Sequence, residues 1–293
     1  MDLDQDGRSD LISGSWPGEL YFFRRQADGT FAAPEQLKDA GGKTINMGSA
    51  STAFAIDFTG DGTLDLLVGN LVGEVHLLPG QRAGRLAFGP SRPVAAGGEP
   101  INIAGGETAP IAADWNGDGL LDLIVGTGHG SVLLFRNEGS AREPKLAAAQ
   151  TLIGESPLGW GGDEKRARHD WGLRVKPCAV DWNGDGRLDL LLGDRCGSFQ
   201  AKPMQTDSEK AEERQANDRL PELRRNWAAA FAEYRQLQAA PSENAAAARL
   251  AAARERMARL KDEIARVQEI QEHYQPGYQA HGFVWLFLRK ATP

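Results

Sequence analysis

Cysteine, histidine and long apolar runs are scarce in this sequence, and basic residues are outnumbered by acidic ones. The absence of any run near the roughly 20 apolar residues of a membrane span predicts no membrane insertion. A net charge of −7 argues against a nucleic-acid partner. Five histidines leave few candidates for a histidine-based catalytic site, and the sequence contains neither a nucleophile elbow nor a phosphate loop.

Two cysteines are too few for a disulfide scaffold. Cys178 and Cys196 flank one short stretch of the chain, so they could form a single bridge in an exported protein or be two small core residues. No signal peptide precedes Met1. Because Met1 adjoins the first of the repeated segments described next, we expect the sequence to be truncated at that point.

The sequence does contain an acidic nine-residue segment that occurs four times, at residues 2–10, 57–65, 114–122 and 181–189. Oxygen-bearing side chains occupy positions 1, 3, 5 and 9, and glycine occupies position 6, where a hard cation site needs a sharp turn. The EF-hand alternative fails because position 12 is never glutamate. An isolated acidic turn is the other alternative, but four copies favour up to four structural Ca²⁺ sites. The predicted side-chain ligands are Asp2, Asp4, Asp6, Asp10, Asp57, Thr59, Asp61, Asp65, Asp114, Asn116, Asp118, Asp122, Asp181, Asn183, Asp185 and Asp189.

The spacing of about 60 residues between these loops is typical of propeller blades, each made of several short strands. A short apolar run precedes each of the last three loops, another follows every loop, and a third comes after a glycine-bearing turn, for example Ser131 to Arg136. The fourth strand is expected near residues 31–34 and 88–90, where an outer edge tolerates proline.

These motifs resemble the FG-GAP/VCBS family of calcium-binding β-propeller repeats, to which the blades of the integrin α-subunit head are related. They read Asp-x-Asp/Asn-x-Asp-Gly-x-x-Asp, then Leu-x-x-Gly, then Gly-x-Val-x-Leu-Phe-Arg. Thr59 at position 3 departs from the pattern and predicts a weaker site. The resemblance implies an all-β fold, a propeller of four recognisable blades, incomplete because repeat one lacks its first strand and repeat four its last.

The fourth repeat is interrupted after residue 200 and resumes at residues 281–290. Residues 201–280 therefore form an insertion within blade 4, while residues 1–200 supply blades 1–4. Apolar residues at spacings of three and four predict two antiparallel helices with coiled-coil-like packing, joined near residues 239–241. Thr206 and Glu209 form a candidate capping box, and Pro276-Gly277 is expected to end the second helix.

A ligand-binding surface is predicted on the side opposite the acidic loops, where inter-blade loops and the helical insertion are expected to gather. Its candidate residues are His129, Trp160, His169, Asp170, Trp171, Arg174 and His281. The alternative is that these side chains only satisfy loop carbonyls.

The function predicted from the sequence is a non-catalytic, calcium-stabilised module outside the cytoplasm that binds or scaffolds a protein or a glycan. Self-association through open blade edges is also expected. The competing hypothesis is a carbohydrate-active enzyme, similar to polysaccharide lyases, with its site on the same surface. No catalytic residue is assigned from the sequence.

Overall fold

The computed structural model describes residues 2–39, 41–81, 86–158, 170–199, 204–239, 244–274 and 278–290. The chain divides into two compact units. One comprises Met1–Ser198 with Ala280–Pro293, and the other comprises Phe199–Gln279. The first is mostly antiparallel β-sheet and the second contains two helices.

Each acidic loop adjoins one of four antiparallel sheets: it precedes the first strand of the first sheet and joins the first two strands of the other three. We number them sheets 1 to 4 in chain order. Sheet 1 contains β1 (Leu11–Ser13), β2 (Tyr21–Phe23) and β3 (Glu35–Gln36). Sheet 2 contains β4 (Thr52–Ile56), β5 (Asp65–Gly69), β6 (Val75–Leu78) and β7 (Arg92–Pro93). A two-stranded sheet follows, of β8 (Ala95–Ala96) and β9 (Glu99–Pro100). Sheet 3 contains β10 (Ala109–Ala113), β11 (Asp122–Gly126), β12 (Val132–Phe135) and β13 (Gln150–Ile153).

Sheet 4 is completed by residues that lie beyond the helices in the sequence. It contains β14 (Leu173–Val180), β15 (Asp189–Phe199), β16 (Tyr278–His281) and β17 (Val284–Phe287). The pairing of β15 with β17, which joins Leu190 to Phe287, repeats the β11–β12 pairing of Leu123 with Phe135. The helical segment therefore occupies the place of a strand-to-strand turn.

The outermost strands begin later than the sequence analysis placed them. Residues 31 and 88 make only isolated bridges, Arg25 to Phe31 and Gly80 to Phe88. The outer strands β3 and β7 start four residues further on. Apolar character at Phe31 and Phe88 suggested a strand, but these residues instead bring the chain back toward the sheet.

Three apolar cores separate the successive sheets. The first lies between sheets 1 and 2, the second between sheets 2 and 3, and the third between sheets 3 and 4. In each core, one face of a sheet packs on the next sheet along the chain, and we call this its forward face. The face of the next sheet that it meets is called the rear face of that sheet. Alternation along each strand sends successive side chains to the two faces, which explains why the strands are apolar throughout.

The second unit is an antiparallel pair of helices, α1 (Asp207–Ala239) and α2 (Asn244–Tyr274). Thr206 and Glu209 form the predicted capping box, with Thr206 N donating to Glu209 Oε2 (2.7 Å) and Glu209 N donating to Thr206 Oγ1 (3.3 Å). The helices pack around Ala216, Leu220, Leu223 and Val267. The predicted inter-helix turn at residue 240 and the predicted stop at Pro276-Gly277 lie outside the described residues. Neither described helix is long and apolar enough to span a membrane.

Candidate functional site

The aspartate at position 9 of each acidic loop holds its own sheet together. All four are buried. One oxygen of each accepts a hydrogen bond from the backbone N–H just after the third strand of its repeat, at 2.7–2.9 Å. These four pairs are Asp10 with Arg25, Asp65 with Gly80, Asp122 with Asn137, and Asp189 with Arg289. A buried carboxylate without such partners would be costly, so position 9 carries a structural role in every repeat.

The aspartate at position 1 shapes the loop itself. Asp114, for example, accepts hydrogen bonds from the backbone N–H groups of Gly117, Asp118 and Gly119. The glycine at position 6 has a positive φ in all four loops, between 82° and 87°, a conformation that other residues rarely adopt. The side chains at positions 1, 3 and 5 therefore lie around one short turn, and their oxygen atoms are close to that turn.

The loop oxygens fit a hard cation, which prefers carboxylate and amide oxygens, but the four loops differ in charge. In the first loop, oxygens of Asp2, Asp4 and Asp10 lie within 4.8 Å of one another. An arginine also pairs with this loop, because Arg24 Nε lies 2.7 Å from Asp4 Oδ2. The fourth loop is likewise paired with Arg187 through Asp185.

The third loop has leucine at position 7, where the first and fourth loops have arginine. Burial raises the pKa of Asp122, and the charges of Asp118 and Asp114 raise it further. A bound cation would relieve this repulsion. The third loop therefore carries negative charge that a cation would balance, without the arginine that pairs with the first and fourth loops.

The turns between the second and third strands form a hydrogen-bonded network on the other side of the repeats. We call residues 15–18, 70–73 and 127–130, with their intervening linkers, the turn edge. Each turn is bonded to the linker that follows it. The backbone pairs are Ala50 N to Trp16 O, Leu71 N to Ser49 O, Glu107 N to Leu71 O, Gly128 N to Gly106 O and Arg174 N to Gly128 O, at 2.7–3.1 Å.

Large side chains are exposed at the tips of this turn edge. Trp16 is 62% exposed and Val72 is 64% exposed, while Leu71 is also exposed. His129 occupies the matching tip of the third turn, with its Nδ1 3.6 Å from Glu155 Oε1. These side chains are held on hydrogen-bonded turns and are accessible to a ligand.

Sequence comparison accounts for the repeat. The model of the FG-GAP-like repeat matches residues 2–68, 57–125 and 114–192. The chain belongs to the FG-GAP-like repeat family. No curated protein matches it.

Among solved structures, the FG-GAP chain is similar to an Agrocybe aegerita lectin described as recognising non-reducing terminal N-acetylglucosamine. The identity is 21% and the TM-score is 0.35. The similarity covers 67% of this chain and 47% of the lectin chain, so this protein matches about half of the lectin's length.

The sequence-predicted ligand residues are partly brought together in this FG-GAP chain. Trp171 Nε1 donates to Gly130 O (2.8 Å), and the Trp171 ring packs edge-on against Phe287 at 5.9 Å. Arg174 Nε lies 2.7 Å from Glu107 Oε2. Both side chains therefore hold the turn edge together. Asp170 is half-buried beside Trp171, and His281 ends β16. Trp160 and His169 lie outside the described residues.

Sequence reasoning missed Asp194, which connects three segments. Its oxygens accept hydrogen bonds from Gly172 N (2.5 Å), Phe283 N (2.7 Å) and Trp285 Nε1 (2.8 Å). The signal was available, because the residue directly after each Leu-x-x-Gly glycine is polar. These residues are Ser15, Asn70, Thr127 and Asp194. The exposed tips Trp16, Leu71 and Val72 were also missed, since an isolated apolar residue in a turn has no periodicity to reveal it.

Proposed function

We propose that this protein is a calcium-stabilised, propeller-like binding module without catalysis of its own, and that it binds a protein partner through its turn edge. The four sheets would be blades arranged around an axis. Two observations support that arrangement. Successive sheets pack face to face through the three cores. Strand β1 also contacts β4, β4 contacts β10, and β10 contacts β14, so the sheets adjoin one another in chain order.

The observation that carries the binding proposal is the exposure of Trp16 and Val72 on hydrogen-bonded turns. Aromatic side chains are enriched where proteins meet partners, and tryptophan often contributes a large share of the binding free energy. Because each tip is fixed to the following linker, little conformational entropy would be lost on binding. A glycan ligand, suggested by the sequence, is the competing class.

Calcium would serve structure in this proposal. The oxygens at positions 1, 3 and 5 of the third loop would hold the ion, with the backbone carbonyl of Leu120 as a further ligand. The bound ion would supply positive charge among carboxylates that otherwise repel one another. Because the loop lacks a bidentate glutamate, we expect the weak affinity of extracellular modules, about 10⁻⁴–10⁻³ M. A location outside the cytoplasm is part of the proposal, because a site of such affinity fills only where calcium is abundant.

The enzyme hypothesis has less support from the described residues. It relied on His169 and Arg174 as candidate catalytic groups. Arg174 is paired with Glu107, which is itself buried, and this pairing ties the arginine to the turn edge. His169 lies outside the described residues. We therefore propose no catalytic residue.

Binding can be tested by comparing four forms of the chain in calcium. The wild type and the Trp16→Ala, Val72→Asp and Met204→Asp variants would each be immobilised and exposed to extracellular protein fractions and, in parallel, to a glycan panel. Met204 is a matched control because it is an exposed apolar residue in the helical unit.

We expect a protein that is retained by the wild type and by Met204→Asp but lost from both turn variants, as measured by quantitative mass spectrometry. Retention of the same proteins by all four forms would refute the turn edge as the binding surface. Capture of glycans alone, lost in Trp16→Ala, would replace the protein partner with a glycan. Circular dichroism should show that all variants keep the wild-type fold.

A further inference from the structure

The forward face of sheet 4 is exposed where the forward faces of the other sheets are buried. Leu286 pairs with Leu191, and this position corresponds to Phe22, Leu77 and Leu134 in sheets 1 to 3. Those three counterparts are at most 3% exposed, whereas Leu286 is 41% exposed. Val284 is 74% exposed, although its counterparts Val75 and Val132 are fully buried.

The acidic loops give the same contrast. In the first three loops the residue at position 2 packs between its own sheet and the next. Leu3, Phe58 and Trp115 are buried in the first, second and third cores. Trp182, at the same position of the fourth loop, is 59% exposed. Sheet 4 and its loop therefore carry the apolar side chains that form a core in the other repeats, but here these side chains are exposed.

A second open surface lies at the other end of the series, on the rear face of sheet 1. Leu11 is 51% exposed, while its counterparts Leu66, Leu123 and Leu190 in sheets 2 to 4 are at most 3% exposed. Each of those counterparts is covered by the forward face of the preceding sheet. Since Leu11 and Val284 are both exposed, these two faces do not cover each other within one chain.

We propose that the forward face of sheet 4 binds the rear face of sheet 1 in a second copy of this chain. We infer this partner from the three cores within the chain. In each of them, the forward face of one sheet packs on the rear face of the next sheet. A second copy offers such a rear face with Leu11 in solvent and Phe23 half-buried beside it. This contact is heterologous, so it either closes a ring or extends a chain of copies. It is independent of ligand binding at the turn edge.

The orientation of this contact makes a complementation test available. Val284→Asp places a charge on the forward face, and Leu11→Asp places one on the rear face. Both sites are exposed in the single chain, so neither variant should lose its fold. Val72→Asp is the matched control, because Val72 is exposed but lies on the turn edge.

In sedimentation velocity over a range of concentrations, we expect the wild type and Val72→Asp to associate, and each end variant alone to remain monomeric. An equimolar mixture of Val284→Asp and Leu11→Asp should form a heterodimer, because one intact forward face and one intact rear face remain. A symmetric contact between two forward faces predicts instead that Leu11→Asp still associates. That result would overturn the proposal, as would a wild type that stays monomeric at every concentration.

Thiol labelling gives a second readout in the wild type. Cys178 pairs with Leu191 on the forward face of sheet 4 and is exposed, whereas Cys196 is buried. Association should slow the reaction of Cys178 with a maleimide as the protein concentration rises, and Val284→Asp should remove this dependence. A labelling rate that does not depend on concentration would contradict the contact.

Discussion

One repeated glycine provides a direct test of how the sheets pack. The glycine of Leu-x-x-Gly ends the second strand in sheets 2 and 3 and lies within β15 in sheet 4. A Cβ atom added to Gly69 would lie 2.2 Å from the carbonyl oxygen of Thr108, which begins the next sheet. At Gly193 the nearest atom would be the carbonyl oxygen of Lys176 in the same sheet, at 3.9 Å. The two glycines therefore share a motif position but differ in their surroundings.

The expected magnitudes follow from these distances. In Gly69→Ala the Thr108 carbonyl must retreat by roughly 1 Å to reach ordinary contact, and such overpacking costs about 1–3 kcal/mol. Thr108 cannot move freely, because its carbonyl accepts a hydrogen bond from Thr52 Oγ1 and its hydroxyl accepts one from Asn70 N. In Gly193→Ala the space is open. The lower entropy of the unfolded chain should then stabilise the fold by about 0.4–1 kcal/mol.

Thermal unfolding of the two variants measures this difference. For a unit of this size about 1 kcal/mol corresponds to roughly 2–4 °C, so we expect a Tm several degrees lower in Gly69→Ala and unchanged or slightly higher in Gly193→Ala. The helical unit serves as an internal control, since its far-ultraviolet signal should unfold as in the wild type. Equal effects of the two substitutions would refute the packing argument.

Two further predictions concern charge. Asp118→Asn keeps the Oδ1 atom that accepts a hydrogen bond from Leu120 N but removes one negative charge from the third loop. In the wild type, calcium at about a hundred times the Kd of one site would stabilise the fold by about 2.7 kcal/mol. The rise in Tm on adding calcium should therefore be smaller in Asp118→Asn than in the turn control Asp28→Asn, and no rise in the wild type would exclude the site. The hydroxyl of Tyr274 donates to Glu212 (2.7 Å) and this raises the pKa of Tyr274 to about 12. In an ultraviolet titration, one tyrosine should therefore ionise near pH 12, and at a lower pH in Glu212→Gln. The hydrogen bond stabilises the fold fully below the unfolded tyrosine pKa of about 10, and this stabilisation is lost as the pH rises through 12. Simultaneous ionisation of all tyrosines would contradict the bond.

The order of the strands was largely predictable because the acidic loop marks the same point of every repeat. Once Asp122 and Asp189 are aligned, the apolar runs after them must be equivalent strands, and β17 can be recognised despite the helical insertion. The family match over residues 2–192 confirms that these repeats belong to the FG-GAP-like family. The outer strands were placed wrongly, since two-residue edge strands such as β3 have almost no sequence pattern.

The surfaces were harder to predict than the strands. Alternation tells which residues lie on a sheet face, but it cannot tell whether another sheet covers that face. Val132 and Val284 look alike in the sequence, and only the structure shows that one is buried and the other exposed. In the same way, Trp171 and Arg174 were recognised as unusual, but their contacts with Gly130 and Glu107 depend on segments distant in the chain.

The helical insertion within sheet 4 has a consequence for the order of folding. Sheet 3 joins its second and third strands through residues 127–131, whereas sheet 4 joins β15 to β17 across the whole segment from Phe199 to Val284. Each doubling of a flexible loop adds about 0.6 kcal/mol of closure entropy, and roughly four doublings separate these connections, about 2.5 kcal/mol in all. If α1 and α2 pair first, as the bond between Tyr274 and Glu212 allows, the ends of the segment are brought close together before the strands meet. Sheet 4 then completes only after a local helical hairpin has formed.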